Sequence, residues 1–102
     1  MTAQSEIEQA DELRRDGESA RRRRDLTAAQ NCYAKAVALL RNSTDKMKFA
    51  HTVRHLGDVY VELQNWPSAE PCFAEALTIY RSQPSSHVLD FANAIRGYAV
   101  LK

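Results

Sequence analysis

Glycine is scarce in this chain, with only Gly17, Gly57 and Gly97 among 102 residues. No glycine-rich phosphate loop and no GxSxG nucleophile elbow can be assembled from them. Cys32 and Cys72 are the only cysteines, with no CxxC spacing, which excludes a disulfide framework and leaves two small buried or half-buried side chains. An excess of one charge is lacking too: fourteen basic residues face thirteen acidic ones, for a net charge of +1. Bulk charge therefore points to neither nucleic acid nor an anionic membrane, and any electrostatic specificity must be local. No window approaches the roughly 20 apolar residues of a membrane span, and the N-terminal stretch lacks the apolar core of a signal peptide. No membrane association and a cytoplasmic location are the expectation. No nucleophile, base and orienting group can be put together, so neither an enzyme nor a cofactor is expected.

What the chain does have is repetition. The glycines recur every forty residues, and sliding the sequence by that interval pairs Ala29 with Ala69, Cys32 with Cys72, Ala34 with Ala74, Ala36 with Ala76 and Arg41 with Arg81. Similar pairs include Leu13 with Val53, Tyr33 with Phe73 and Val37 with Leu77. Repetition on this scale predicts stacked supersecondary units, each burying its apolar face against the next.

Each unit reads as two helices. Ile7, Ala10, Leu13, Gly17 and Ala20 recur at steps of three or four, with Ser5 and Glu8 as a capping box, and predict a helix from about Ser5 to Arg23. Asp25 or Thr27 then caps a second helix with the stripe Ala29, Tyr33, Ala36, Val37 and Leu40. A third helix is expected from about Thr44 to Leu63 and a fourth up to Tyr80 or Arg81, with Ser68 as its N-cap so that Pro71 falls in the first turn. A last helix follows Ser85 or Ser86. A mid-helix glycine costs about 1 kcal/mol against alanine. The offset is expected from close approach to the following helix, with Ala29 and Ala69 as small partners and Tyr33 and Phe73 filling the space around the contact. Domain boundaries follow: one domain over 1–102, with repeats at about 5–43 and 44–83 and a partial third at 86–102.

Leu56, Gly57, Tyr60, Ala69, Phe73 and Ala76 stand at the spacing W-x2-L-G-x2-Y, A-x3-F, A, with Val53 at the Trp position. This resembles the tetratricopeptide repeat. The first unit matches through Leu13, Gly17, Ala20, Ala29, Tyr33 and Ala36, and the third through Gly97. The usual period is about 34 residues, so the interval of forty is similar to the longer repeat of kinesin-light-chain-type members. The resemblance implies an all-α, right-handed solenoid of about two and a half repeats, five helices in all, acting as a scaffold that binds a protein or peptide in a concave groove. It maps groove positions onto Asp11, Arg14, Glu18, Arg21 and Arg22, then His51, Arg54, Asp58 and Glu62, then Phe91, Ala94 and Tyr98. A carboxylate clamp of the chaperone-binding kind is not expected, because Glu18 and His55 stand at its asparagine sites and Phe91 and Ile95 at its later basic ones.

Three features carry alternatives. His51, His55 and Asp58 share a helix face at a spacing that suits zinc, but the HExxH glutamate is missing, and a polar groove surface is the preferred reading. The run Arg21 to Arg24 fans around the first helix's C-terminus, where cations complement the helix dipole. The competing reading is a small-anion or acidic-peptide site at Arg14, Arg21 and Arg22, as in a ligand-sensing domain of a larger protein; nucleic acid is not expected. Trp66 reads as a cap on the seam between two helices. The last helix, apolar almost all round, stops before its hairpin partner. Either the chain belongs to a longer array or a second copy covers this helix in a homodimer through Ile95, Tyr98 and Leu101.

Overall fold

A computed structural model describes residues 3–83 together with Ile95 and Arg96. Among the described residues there are four α-helices and no strand: α1, Ala3–Arg22; α2, Leu26–Leu40; α3, Lys46–Glu62; and α4, Trp66–Arg81. Helix α1 packs on α2 and α3 on α4, each pair forming a hairpin, and α2 against α3 joins the hairpins.

The two hairpin turns are copies of each other. At the first, Arg24 adopts φ 64°, and Asp25 N–H donates to the Ala20 carbonyl at 2.9 Å. At the second, Gln64 adopts φ 60°, and Asn65 N–H donates to the Tyr60 carbonyl at 2.8 Å. A left-handed residue after the helix closes its orphan carbonyls, and the residue after it caps the next helix. The Asp25 side chain accepts from Ala28 N–H at 3.2 Å, and the Asn65 side chain from Ser68 N–H at 3.4 Å. Asp45 does the same for α3, accepting from Lys48 N–H at 3.0 Å.

These caps correct two sequence expectations. Asn65, not Ser68, caps α4, because the turn must repeat the geometry of Asp25, and α4 consequently begins at Trp66. Pro67 lies in the first turn and Pro71 one turn inside. The hydrogen bond Pro71 cannot make is the one to the carbonyl of Pro67, so the loss is confined to the helix start. Helix α1 begins at Ala3, so Ser5 sits within it instead of capping it.

Alanine recurs through the core. Ala10, Ala20, Ala29 and Ala36 are buried with Tyr33, Leu40, Phe49, Val53 and Val59 across α1, α2 and α3. Small side chains at these crossings let helices approach closely. A second cluster joins Ala50 of α3 to Ala76, Leu77 and Tyr80 of α4. Thr52, the buried polar residue of this region, is satisfied by donating to the Lys48 carbonyl at 2.7 Å.

The glycines do what close packing requires, with a partner other than the one expected. A Cβ placed on Gly17 would lie 3.0 Å from the Tyr33 ring, and one on Gly57 would lie 3.0 Å from the Phe73 ring and 3.1 Å from Cys72 Cβ. The missing side chain makes room for an aromatic ring, and the alanines one turn earlier are buried beside it. Trp66 is 46 % exposed and does not seal the seam, since its position at the first residue of α4 turns it outward. The expected fifth helix falls at 86–102, and its Phe91, Gly97, Tyr98 and Leu101 lie outside the described residues; Ile95 and Arg96 are helical, with Ile95 44 % exposed.

Candidate functional site

Helices α1 and α3 occupy the same place in successive hairpins, and their polar faces lie side by side across α2. Seven-residue spacing puts Lys48 and His55 on one face of α3, and spacings of three and four put Asp11, Arg14, Glu18 and Arg21 on one face of α1. Between them opens a cleft of about 630 Å³, lined by Asp11, Arg14, Arg15, Glu18, Arg21, Lys48 and His55, with Tyr33 of α2 beneath. A second hollow of about 530 Å³ lies toward the helix C-termini, bordered by Glu18, Arg21, Arg22, Arg24 and Glu62.

Ion pairs tie the walls together. Asp11 accepts from Lys48 across the cleft at 3.0 Å and from Arg14 on its own helix at 3.3 Å. Glu62 of α3 accepts from Arg21 and, at 2.6 Å, from Arg24. The left-handed turn carries the Arg24 side chain back toward α3. Arg22 pairs with Glu18 at 3.2 Å on the exposed surface, and Arg54 approaches Asp58 to 3.6 Å.

Beneath the polar rim lies a stack. The Tyr33 ring rests on Gly17, and the imidazole of His55 stacks on Tyr33 with ring centroids 5.7 Å apart and planes 19° from parallel. Burial, and then the guanidiniums of Arg54, Arg14 and Arg21, push the His55 pKa down to about 4, so the ring is neutral at neutral pH. Burial also raises the Tyr33 phenol above its ordinary value. The Asp58 carboxyl is raised by burial, partly countered by Arg54 and Arg21. Among the described residues, three buried side-chain nitrogens have no hydrogen-bond partner: Arg14 Nε, Arg54 Nε and His55 Nδ1.

Of the residues the sequence assigned to the groove, Arg14, Glu18 and Arg21 line the large cleft, while Arg22 and Glu62 border the second hollow. Arg54 and Asp58 form a half-buried pair on the same helix. His51 points elsewhere: its Nδ1 lies 2.7 Å from the Tyr80 hydroxyl on α4. The two histidines considered for zinc thus engage different aromatic partners, and among the described residues no group of three His, Cys, Asp or Glu side chains is placed to hold a metal ion. Phe91 and Tyr98 lie outside the described residues. Sequence reading missed Arg15, Lys48, Tyr33 and Arg24 as site residues. Lys48 was legible from its seven-residue offset to His55, whereas Arg24 depends on a turn geometry that no spacing reveals.

Two helical hairpins in register, each closed by a matching turn and presenting their first helices on one polar face, define a helical-repeat protein. A family model described as tetratricopeptide repeat matches residues 14–83, and the chain belongs to that family. Its repeats generally mediate protein–protein interaction, typically without catalysis. No curated protein and no solved structure matches the chain. Among the described residues no helix is long and apolar enough to cross a membrane.

Proposed function

We propose that this chain is a non-enzymatic protein-interaction module that takes a peptide segment of a partner protein into the cleft between α1 and α3. The observation that carries this reading is the cleft itself: about 630 Å³, open, and walled by polar side chains from the first helix of each hairpin. That volume lies within the range of specific binding sites and exceeds what one side chain fills. The reading extends the repeat, of the long kinesin-light-chain type, through 86–102 as a right-handed solenoid of five helices, with self-association through Ile95, Tyr98 and Leu101. Sedimentation over a concentration series tests the last point, and a strict monomer throughout removes it.

The competing small-anion site at Arg14, Arg21 and Arg22 is disfavoured, because Arg21 already pairs with Glu62 and Arg22 with Glu18. Groove binding is tested with a photo-crosslinking amino acid placed at Arg15 in the cleft or at Lys35, exposed on α2. A discrete adduct from cell extract at position 15 and none at 35 is the expected result. Equal adducts from both, or adducts from 35 alone, overturn it.

A further inference from the structure

We propose that the end of the cleft formed by Arg14, Tyr33 and His55 receives an acidic side chain, Asp or Glu, of the bound segment. This rests on the groove reading above and adds the chemistry of the occupant. Four cationic side chains line the cleft, Arg14, Arg15, Arg21 and Lys48, against the two carboxylates of Asp11 and Glu18. Asp11 is shared between Arg14 and Lys48, and Glu18 pairs with Arg22 outside this cleft. Glu62 offsets Arg21 from outside the cleft in the same way, and positive charge stays in surplus at the wall through Arg14, Arg15 and Lys48 against Asp11.

Hydrogen-bonding capacity is unbalanced in the same direction. The Nε–H group of Arg14 can only donate, and among the described residues it is buried without an acceptor. A buried donor left unpaired is costly, and more so when it is charged. What this wall lacks is an acceptor, and a carboxylate is acceptor-only and of the complementary charge. The neutral His55 adds an unpartnered nitrogen at the same wall, Nδ1, which donates to a carboxylate in its Nδ1–H tautomer. The stack of Gly17, Tyr33 and His55 holds these groups on two hairpins at once, so the receiving end is set by the packing of the repeats. A singly charged carboxylate is favoured over a phosphate dianion because Asp11 and Glu18 stand on the same rim, and like-charge proximity penalises the dianion more.

The test exposes the full chain to immobilised pools of short random peptides in which one position is fixed as Asp, Glu, Lys, Gln or phosphoserine. Retention of the Asp and Glu pools above the Lys and Gln pools is expected. Arg14→Gln should lower it at least about tenfold. Raising NaCl from about 50 to about 300 mM should weaken it as well. Equal retention of Lys or Gln pools, or undiminished binding by a folded Arg14→Gln variant, overturns the acidic occupant while leaving groove binding intact. Preferential retention of phosphoserine overturns it in favour of a phosphorylated partner. No retention of any pool removes both this inference and the groove reading. The pool comparison is made on the unaltered chain, so it decides the matter even where Arg14→Gln fails to fold.

Discussion

The ring of Tyr33 lies on Gly17 so closely that a methyl group there would come within 3.0 Å of the ring. Phe73 lies on Gly57 in the same way, with Cys72 Cβ adding a second contact at 3.1 Å. One sequence interval thus repeats one packing device, and its two copies differ in what surrounds the ring. Tyr33 reaches the cleft, whereas Phe73 is fully buried.

Replacing either glycine with alanine gains about 1 kcal/mol of helix propensity and meets overpacking that costs about 1–3 kcal/mol. Tyr33 has the open cleft to yield into, while Phe73 and the Cβ of Cys72 do not. Gly57→Ala is expected to lower stability by about 1–2 kcal/mol net, and Gly17→Ala to change it less. Urea midpoints of the two variants check this ranking, and a stabilised Gly57→Ala contradicts it.

The left-handed turns predict a gain. Gln64 holds φ 60° at a strain of about 1 kcal/mol that glycine does not carry. Gln64→Gly should raise the thermal midpoint, the relief exceeding the entropy glycine adds to the unfolded chain. Arg24→Gly, at the equivalent φ of 64°, should gain less because it also removes the ion pair to Glu62. Calorimetry of both variants separates the two effects.

Glu62 accepts from Arg21 and Arg24 at once and joins the end of the first hairpin to the second. Arg24 is largely exposed, so its pair with Glu62 is worth under about 1 kcal/mol. Glu62→Gln is expected to cost about 1 kcal/mol at low salt and less in high salt, where screening weakens the contacts already. Denaturation at two ionic strengths measures it, and a salt-independent difference counts against an electrostatic role.

His55 predicts an acid-sensitive stability. Its folded pKa of about 4 lies below the ordinary value of 6.5, so between those limits the unfolded chain binds a proton that the folded chain refuses. The stability this group contributes is complete above 6.5, falls as pH drops through the window, and is gone below about 4. Asp58, raised by burial, works the other way just above 3.8 and offsets part of the loss at the acid end. The histidine loss is on the order of 3 kcal/mol at about 1.4 kcal/mol per pKa step. Unfolding midpoints between about pH 7.5 and 4.5 should fall less steeply for His55→Asn than for the parent chain. Coincident profiles would show that His55 is not held neutral by folding.

Periodicity alone determined the hairpins of this protein. Residues forty apart must solve the same packing problem, so Gly17, Tyr33 and Ala36 announce the roles of Gly57, Phe73 and Ala76, and the apolar stripe at helical spacing fixes which face is buried. It could not assign the caps or the polar partners. A serine after a proline looks like an N-cap until the turn shows that Asn65 occupies the place of Asp25. Arg21, Arg24 and Glu62 meet only because a left-handed turn and the stacking of α1 beside α3 bring them together from distant positions in the chain. Burial is a property of one helix face and is written locally, whereas the pairing of long, flexible charged side chains depends on where two helices come to rest, and only the folded molecule decides that.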